Sequence, residues 1–587
     1  MSEDPQWRPD GRPVTAETLR LRNATRALRL HLDQLPIDYN LDVPGDQFLA
    51  GLGFMFARQR YACADSMIGA GFGGTVIGSM ARSLFVTGLR WLWIGGRRDR
   101  RRAFLGELRD ERNRLLILLE QANASCGNLP RWLMPLPDIA DLTGQSLNWI
   151  DSPSLPSEEE LLDEFLDRRG DGGSEAGADD DQATLLAESR KLLDMTGLRG
   201  AVMVLAHAGH GNYLGLQSSL TDDGAAGHDL RSDHEALYMH AAAAGVTASL
   251  IGTAASVPEC WPNEVPTLPF LERAVILTED VCAAAVPIHR LDTARRPIAQ
   301  SKKKRLDSRA GGLLRPGVVV PPSELLPDVN STEAVIEAAE DFYRTARGLR
   351  VRPWDCGQPA LHAMLAYGGG HSNLQTVFST YDQPGSSVIA VFAARMLLEE
   401  AARMVWRYSV KDWTEFTERA KQYFDEFRSR RKRAIDTLAG SGVPRADAER
   451  IFDQPETVLV ITPIDEIAKN RLPLPPIGAM LREMGAAFHE PGWLEVAYSL
   501  LSQIVHSTSL GHLHTVQFRD GIWHGNELTP EMLGLTLDAA CLGSAHLLGL
   551  SARHLMDGAE DAVRYHKDLL RRARDVHSAA RWVHGLD

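Results

Sequence analysis

The chain has 587 residues, 44% hydrophobic and 24% charged, with 63 basic against 77 acidic side chains for a formal charge of -14. That is ordinary globular composition, long enough for several domains or for one architecture used more than once. The acidic balance excludes a protein that coats nucleic acid or anionic membrane through bulk charge, yet most of it is local: Glu158 to Asp181 holds 11 carboxylates against Arg168 and Arg169. That segment accounts for -9, and the remaining body carries only -5.

The N-terminal tail, 1–15, is polar and lacks the apolar run of a secretory signal. Apolar residues at three-to-four spacing then predict helices over 16–36, 76–94 and 100–124. Between the first two, Ser66 to Ala81 is uncharged but glycine-rich and is closed by Arg82, too short for a membrane span. Its Gly69-Ala70-Gly71-Phe72-Gly73-Gly74 satisfies G-x-G-x-x-G without a preceding strand or a later acidic residue for a ribose, so close helix packing is the better reading.

The acidic insert, 154–184, follows. Its stretch Gly170 to Asp181 has no large apolar residue and is expected to be disordered. An N-terminal helical module is read over 16–290, and a basic linker over 291–331 with Lys302-Lys303-Lys304-Arg305, prolines and Gly311-Gly312. A C-terminal module, 332–587, carries helices over 385–408, 411–438, 490–506, 529–556 and 559–583. Short extended pieces fit Val318 to Val320 and Val458 to Ile461, but nothing suggests a continuous sheet, and the fold class is all-α. Six scattered cysteines without a C-x-x-C pair point to a reduced, cytoplasmic protein.

The halves resemble each other. ARSLFVTGLRWLW (81–93) aligns with ARMLLEEAARMVW (394–406) at an offset of 313, pairing Arg82 with Arg395, Arg90 with Arg403 and Trp93 with Trp406. Residues 202–216 resemble 500–513, pairing His207 with His506 at offset 299, and 236–252 parallels 533–549. The reading is two diverged helical modules in tandem, with the acidic segment inserted in the first.

Arg90 stands one turn before Trp93, so its guanidinium is expected on the indole, while Glu399 reaches Arg403 at i,i+4. The helix EVAYSLLSQIVHSTSLGHLH, 495–514, puts Tyr498, Ser502 and His506 on one stripe of an otherwise apolar surface. Such a stripe needs partners in the bundle or a ligand. The first half has Arg199, Met203 and His207 at those positions, which places a site in the C-terminal module. A second histidine follows in each half, His228 and His524, with Asp229, Asp233 and His234, or Glu527 and Glu531, nearby. These ligands are scattered over loops, so no metal is expected. The chain has no Walker lysine, nucleophile elbow or H-E-x-x-H helix, and no cofactor is expected.

The segment Y-S-L-L-S-Q-I-V-H-S-T, 498–508, after a helix with A-R-x-L-x-E, resembles an uncharacterised bacterial all-helical family known only as a domain of unknown function. The likeness covers 386–556, and 75–255 as a degenerate copy. Arg519-Asp520-Gly521-Ile522-Trp523-His524 resembles the R-polar-x-x-x-H signature of HEPN ribonucleases, helical proteins of toxin and phage-defence systems. That resemblance implies a histidine for acid–base work and an arginine for the phosphate in metal-independent RNA cleavage. Two functional expectations follow. One is a binding or effector protein that recognises a partner protein or small ligand, in bacterial stress or phage defence. The other is an endoribonuclease centred on His506, Arg519 and His524 and supported by Tyr498 and Arg403, for which RNA is the partner.

Overall fold

Seventeen helices make up 84% of the described residues and strand only 1%, which settles the all-α class. The structure is a computed structural model that describes residues 15–35, 45–70, 74–95, 97–122, 231–258, 265–291, 329–349, 358–410, 413–440, 442–452, 473–486, 492–519, 522–556 and 559–584, with short pieces at 154–158, 160–161, 204–206, 261–262 and 351. Gly170 to Asp181, Lys302 to Arg305, Val318 to Val320, Val458 to Ile461, Arg199, Met203, His207 and His228 lie outside them.

The N-terminal part contains α1 (Ala16–Leu32), α2 (Gly45–Ala70), α3 (Gly74–Ile94), α4 (Arg98–Arg101), α5 (Ala103–Gln121), α6 (Ser232–Ser256) and α7 (Thr267–His289). The C-terminal part contains α8 (Val329–Ala346), α9 (Gln358–Thr380), α10 (Val388–Tyr408), α11 (Trp413–Gly440), α12 (Arg445–Ile451), α13 (Ile477–Ala486), α14 (Trp493–Val505) and α15 (Ser509–Leu513). A hairpin of β1 (Val516–Arg519) and β2 (Ile522–Gly525) leads to α16 (Pro530–Leu555) and α17 (Glu560–His584). Helix starts obey local chemistry. Thr15 accepts from the Thr18 amide at 3.2 Å, and Thr529 accepts from the Met532 amide with Pro530 in the first turn.

Neighbour relations recur along the chain. In the first part α2 and α3 pack on α6, and α6 on α7, which also holds α1. In the second, α9 and α10 pack on α16, and α16 on α17, which also holds α8. The starts of α8 and α9 follow those of α1 and α2 by 313 residues. Close glycine crossings join the corresponding helix pairs: a Cβ added at Gly245 in α6 would collide with the Leu84 carbonyl of α3, and one at Gly543 in α16 would stand 2.9 Å from the Leu397 carbonyl carbon of α10. Only glycine lets the backbones approach this closely.

Trp93 and Trp406 also share a device, though not the expected one. Arg100 lies 4.8 Å from the Trp93 ring centroid and Arg419 lies 5.4 Å from that of Trp406, and each donates to the carbonyl of the same tryptophan. Arg90 is not stacked on Trp93, because Glu107 and the Ser507 carbonyl draw its guanidinium the other way. The Glu399–Arg403 pair forms as its spacing requires.

One apolar core contains side chains from both parts, including Leu84 and Leu89 of α3, Leu397 and Leu398 of α10, and Leu500 and Leu501 of α14. Each fully buried leucine contributes on the order of 2 kcal/mol. α14 and α15 pack on α5, and α15 on α2, so the C-terminal part leans directly on the N-terminal one. α16 is long and apolar enough to cross a membrane, but 89% of its apolar window is buried by neighbouring helices, as befits a core helix.

Two boundaries differ from those read in the sequence. The start of the 154–184 insert is ordered: Ser157 and Glu160 exchange hydrogen bonds as a capping box, and Leu161 is fully buried. α8 begins at Val329, inside the 291–331 linker.

Several histidines are enclosed with neutral partners. Leu291 donates its amide to His289 Nδ1, so the His289 proton sits on Nε2 and points at His240 Nδ1, 3.1 Å away. Burial pushes His240 and His566 down to about 4 and His546 to about 3. A depressed histidine pKa gives stability that is complete above the unfolded value near 6.5 and is lost as pH falls toward the folded value. The urea midpoint should therefore drop between pH 6.5 and pH 4, each such group steepening the fall by up to about 1.4 kcal/mol per pH unit. A midpoint that stays level over this range would contradict the assignment. At the helix crossing, Gly245→Ala should cost about 2–3 kcal/mol in the same assay, because α3 must move away.

Candidate functional site

The expected single helix 495–514 is broken at its histidine. α14 ends at Val505, His506 caps it, and Ser507 takes a left-handed backbone at φ 54°. Thr508 restarts the chain as α15 by accepting from the Gly511 amide at 3.1 Å, while its hydroxyl donates to Gln503 Oε1 at 2.6 Å. Glu107 of α5 accepts from the Ser509 amide and hydroxyl, both at 2.8 Å. The break is thus held from the N-terminal part: Arg60 of α2 donates to the Ile504 carbonyl and Arg90 of α3 to the Ser507 carbonyl, each at 2.8 Å.

Beside this break lies a cleft of about 540 Å³ between α3, α5, α10, α13 and α14. Tyr498, Ser502 and His506, the stripe read from the sequence, all line it. So do Arg82 and Arg395, the matching arginines of α3 and α10, which meet in one cavity.

Their surroundings are unlike. Arg395 is 1% exposed; it donates to Tyr498 Oη at 2.8 Å and Ser502 Oγ at 3.0 Å, pairs with Glu399 at 3.2 Å, and lies over the Tyr498 ring. Tyr498 in turn donates to Glu399, and burial pushes its phenol up to about 12. Behind Glu399, Arg403 joins it to Glu400, whose Oε1 is 2.8 Å from His362 Nε2 and accepts from Tyr423 at 3.0 Å. Burial alone would raise the Glu400 carboxyl, but His362 and Arg403 outweigh it and hold it below its ordinary value. Burial also keeps His362 down at about 4, so the imidazole is neutral. On the other wall Arg82 has Val86 where Arg395 has Glu399. Its carboxylate comes from Glu158, in a fork with contacts of 2.6 and 3.3 Å.

Of the five residues expected in a ribonuclease centre, Tyr498 and His506 line the cleft and Arg403 stands one ion pair behind it. Arg519 and His524 lie on the hairpin, paired in register with Ile522 and Gln517, and His524 is not among the residues that line the cleft. His524 is 3.9 Å from Glu527. Arg519 ends β1 and His524 lies in β2, so the R-x-x-x-x-H segment runs across an antiparallel strand pair rather than along a helix; Asp520 and Gly521 lie outside the described residues. Asp233 and His234 tie α6 to α12 through Arg450 and the Ile451 carbonyl. Among the described residues no group of three His, Cys, Asp or Glu side chains could hold a metal ion.

Sequence reasoning missed the N-terminal contribution: Arg60, Ser79, Ser83, Glu107 and Glu158. The readable signal for Arg60 was an arginine pair, Arg58 and Arg60, inside the apolar run of α2. No family model, curated protein or solved structure matches the chain.

The buried network makes Glu399 the post between Arg395 and Arg403 of α10. Glu399→Ala should destabilise the protein by about 3–5 kcal/mol in urea unfolding, since two guanidinium groups would lose their shared carboxylate. A loss under about 1 kcal/mol would show that water or Glu400 replaces it.

Proposed function

We propose that the protein is a binding or effector protein that recognises a small polar ligand in the cleft between α3 and α10. The observation that carries this reading is the convergence of Arg82, Arg395, Tyr498, Ser502 and His506 on one cavity large enough for a metabolite-sized molecule. Recurring helix neighbours, the glycine crossings of corresponding helix pairs and the repeated arginine–tryptophan device support a tandem duplication whose two arginine-bearing helices face each other across this cleft.

The endoribonuclease reading is weaker. It needs Arg519 and His524 to meet a substrate beside His506, and among the described side chains of that set the cleft collects His506 and Tyr498 but not His524. Incubation of total RNA with wild type and His524→Ala separates the readings: RNA left intact by both speaks for binding, and cleavage lost in the variant speaks for the nuclease.

The binding reading itself is tested by releasing small molecules from the purified protein by denaturation and identifying them by mass spectrometry. Ser499 lines the cleft, and Ser499→Trp should fill it. A compound that copurifies with wild type and is lost from a folded Ser499→Trp is the expected result. Equal recovery from both, or no bound compound and no ligand-induced rise in melting temperature across a metabolite set, would overturn it.

A further inference from the structure

The donors and acceptors of the cleft are unequal. Arg60, 1% exposed, lies behind the Ser83 wall and donates to the hydroxyls of Ser83 and Ser507, which stand 2.5 Å apart. A guanidinium only donates, so both serine oxygens are committed as acceptors. One hydroxyl proton joins the two serines, and the other is left for a further acceptor. No carboxylate contacts Arg60 among the described residues; it packs against the Phe56 and Phe392 rings, and burial brings it down to about 9, with Cys63 opposing the fall and Arg90 adding to it. Among the described residues Ser79 Oγ, on a cleft-lining residue 2% exposed, has no hydrogen-bond partner, and neither has the buried Nε of Arg90. The cleft carboxylates are already engaged: Glu107 with Arg90 and Ser509, Glu111 with Arg114 and Gln503, and Glu495 with Arg482. What this floor lacks is an acceptor of negative charge.

The comparison of the two arginines says where that charge would sit. Arg395 is neutralised from its own helix by Glu399 one turn away. Arg82, with Val86 at that position, has no such partner and borrows the side chain of Glu158, which is 26% exposed and opens the acidic run 158–181. We propose that the cleft binds a small molecule through an oxyanion, a carboxylate or phosphate, that takes the place of Glu158 on Arg82 and accepts from Ser79 and Ser83. Glu158 is then an internal competitor, a self-supplied carboxylate that holds the fork until a ligand displaces it. The proposal rests on the cleft being a ligand site and adds the ligand's charge and its rival.

The test uses the full chain with inorganic pyrophosphate and citrate as phosphate and carboxylate probes in titration calorimetry. Glu158→Gln should bind at least one probe about tenfold more tightly than wild type, the scale expected for removing a competing ion pair of moderate strength. Which probe gains identifies the oxyanion. Arg82→Gln should abolish the binding, and Arg82→Lys, which keeps the charge but not the fork, should weaken it. Circular dichroism checks that each variant is folded. Asp382→Asn makes the same charge change at an exposed site and should leave affinity within about twofold. Equal affinity in wild type and Glu158→Gln, or a gain matched by Asp382→Asn, overturns the proposal. A compound lost from Ser499→Trp but indifferent to Glu158→Gln would leave the cleft reading standing while this one falls; absence of any cleft ligand defeats both.

Discussion

A guanidinium keeps its charge at neutral pH even where burial lowers its pKa, so each arginine that a helical core encloses must be answered by a carboxylate, a carbonyl or a ring. The centre of this protein is organised by that constraint. Arg60, Arg90, Arg395 and Arg403 come from three helices of two chain halves, and their answers fix what surrounds them: Ile504 and Ser507 carbonyls at the break in α14, Glu107 at the start of α15, and Glu399 and Glu400 along α10. Enclosed charge pairs of this kind contribute little net stability compared with apolar packing, but they tolerate few alternative arrangements. The apolar core holds the helices together; the arginines decide how they are set against each other.

The same constraint explains why α14 stops at His506. Two arginines reach in from α2 and α3 to take carbonyl oxygens there, and a continuing helix would have consumed those acceptors in its own ladder. The left-handed turn at Ser507 turns its carbonyl toward Arg90 and its hydroxyl toward Arg60. In return His506, Ser502 and Tyr498 are left on the side of the helix that faces open space.

Much of this was legible in the sequence. The three-to-four spacing of apolar residues located α1, α3, α5, α10, α11, α14, α16 and α17 to within a few residues, because amphipathic periodicity is imposed by the core itself. The Tyr498–Ser502–His506 stripe was visible for the same reason, as polar groups where the pattern calls for apolar ones. What could not be read was which remote residue answers each arginine. Arg90 and Trp93 are neighbours on one helix, yet Glu107 outcompetes the ring, and Arg100 takes the indole from beyond the helix end. Glu158, buried in an acidic run, gave no sign that it alone would reach Arg82. The strand pair at Val516 to Gly525 was hidden as well, since Arg519 to His524 reads as a motif before it reads as a turn.

The shared core has a consequence for the integrity of the chain. α14 and α15 belong to the C-terminal part, yet α14 packs on α5 as well as on α10 and α13, α15 packs on α5 and α2, and the cleft has walls from both parts. A break in the backbone between residues 292 and 328 would give two fragments, each with an uncovered apolar face shaped only by the other. Such fragments would be complements whose apolar faces hold them together while the arginines that cross the seam set their register.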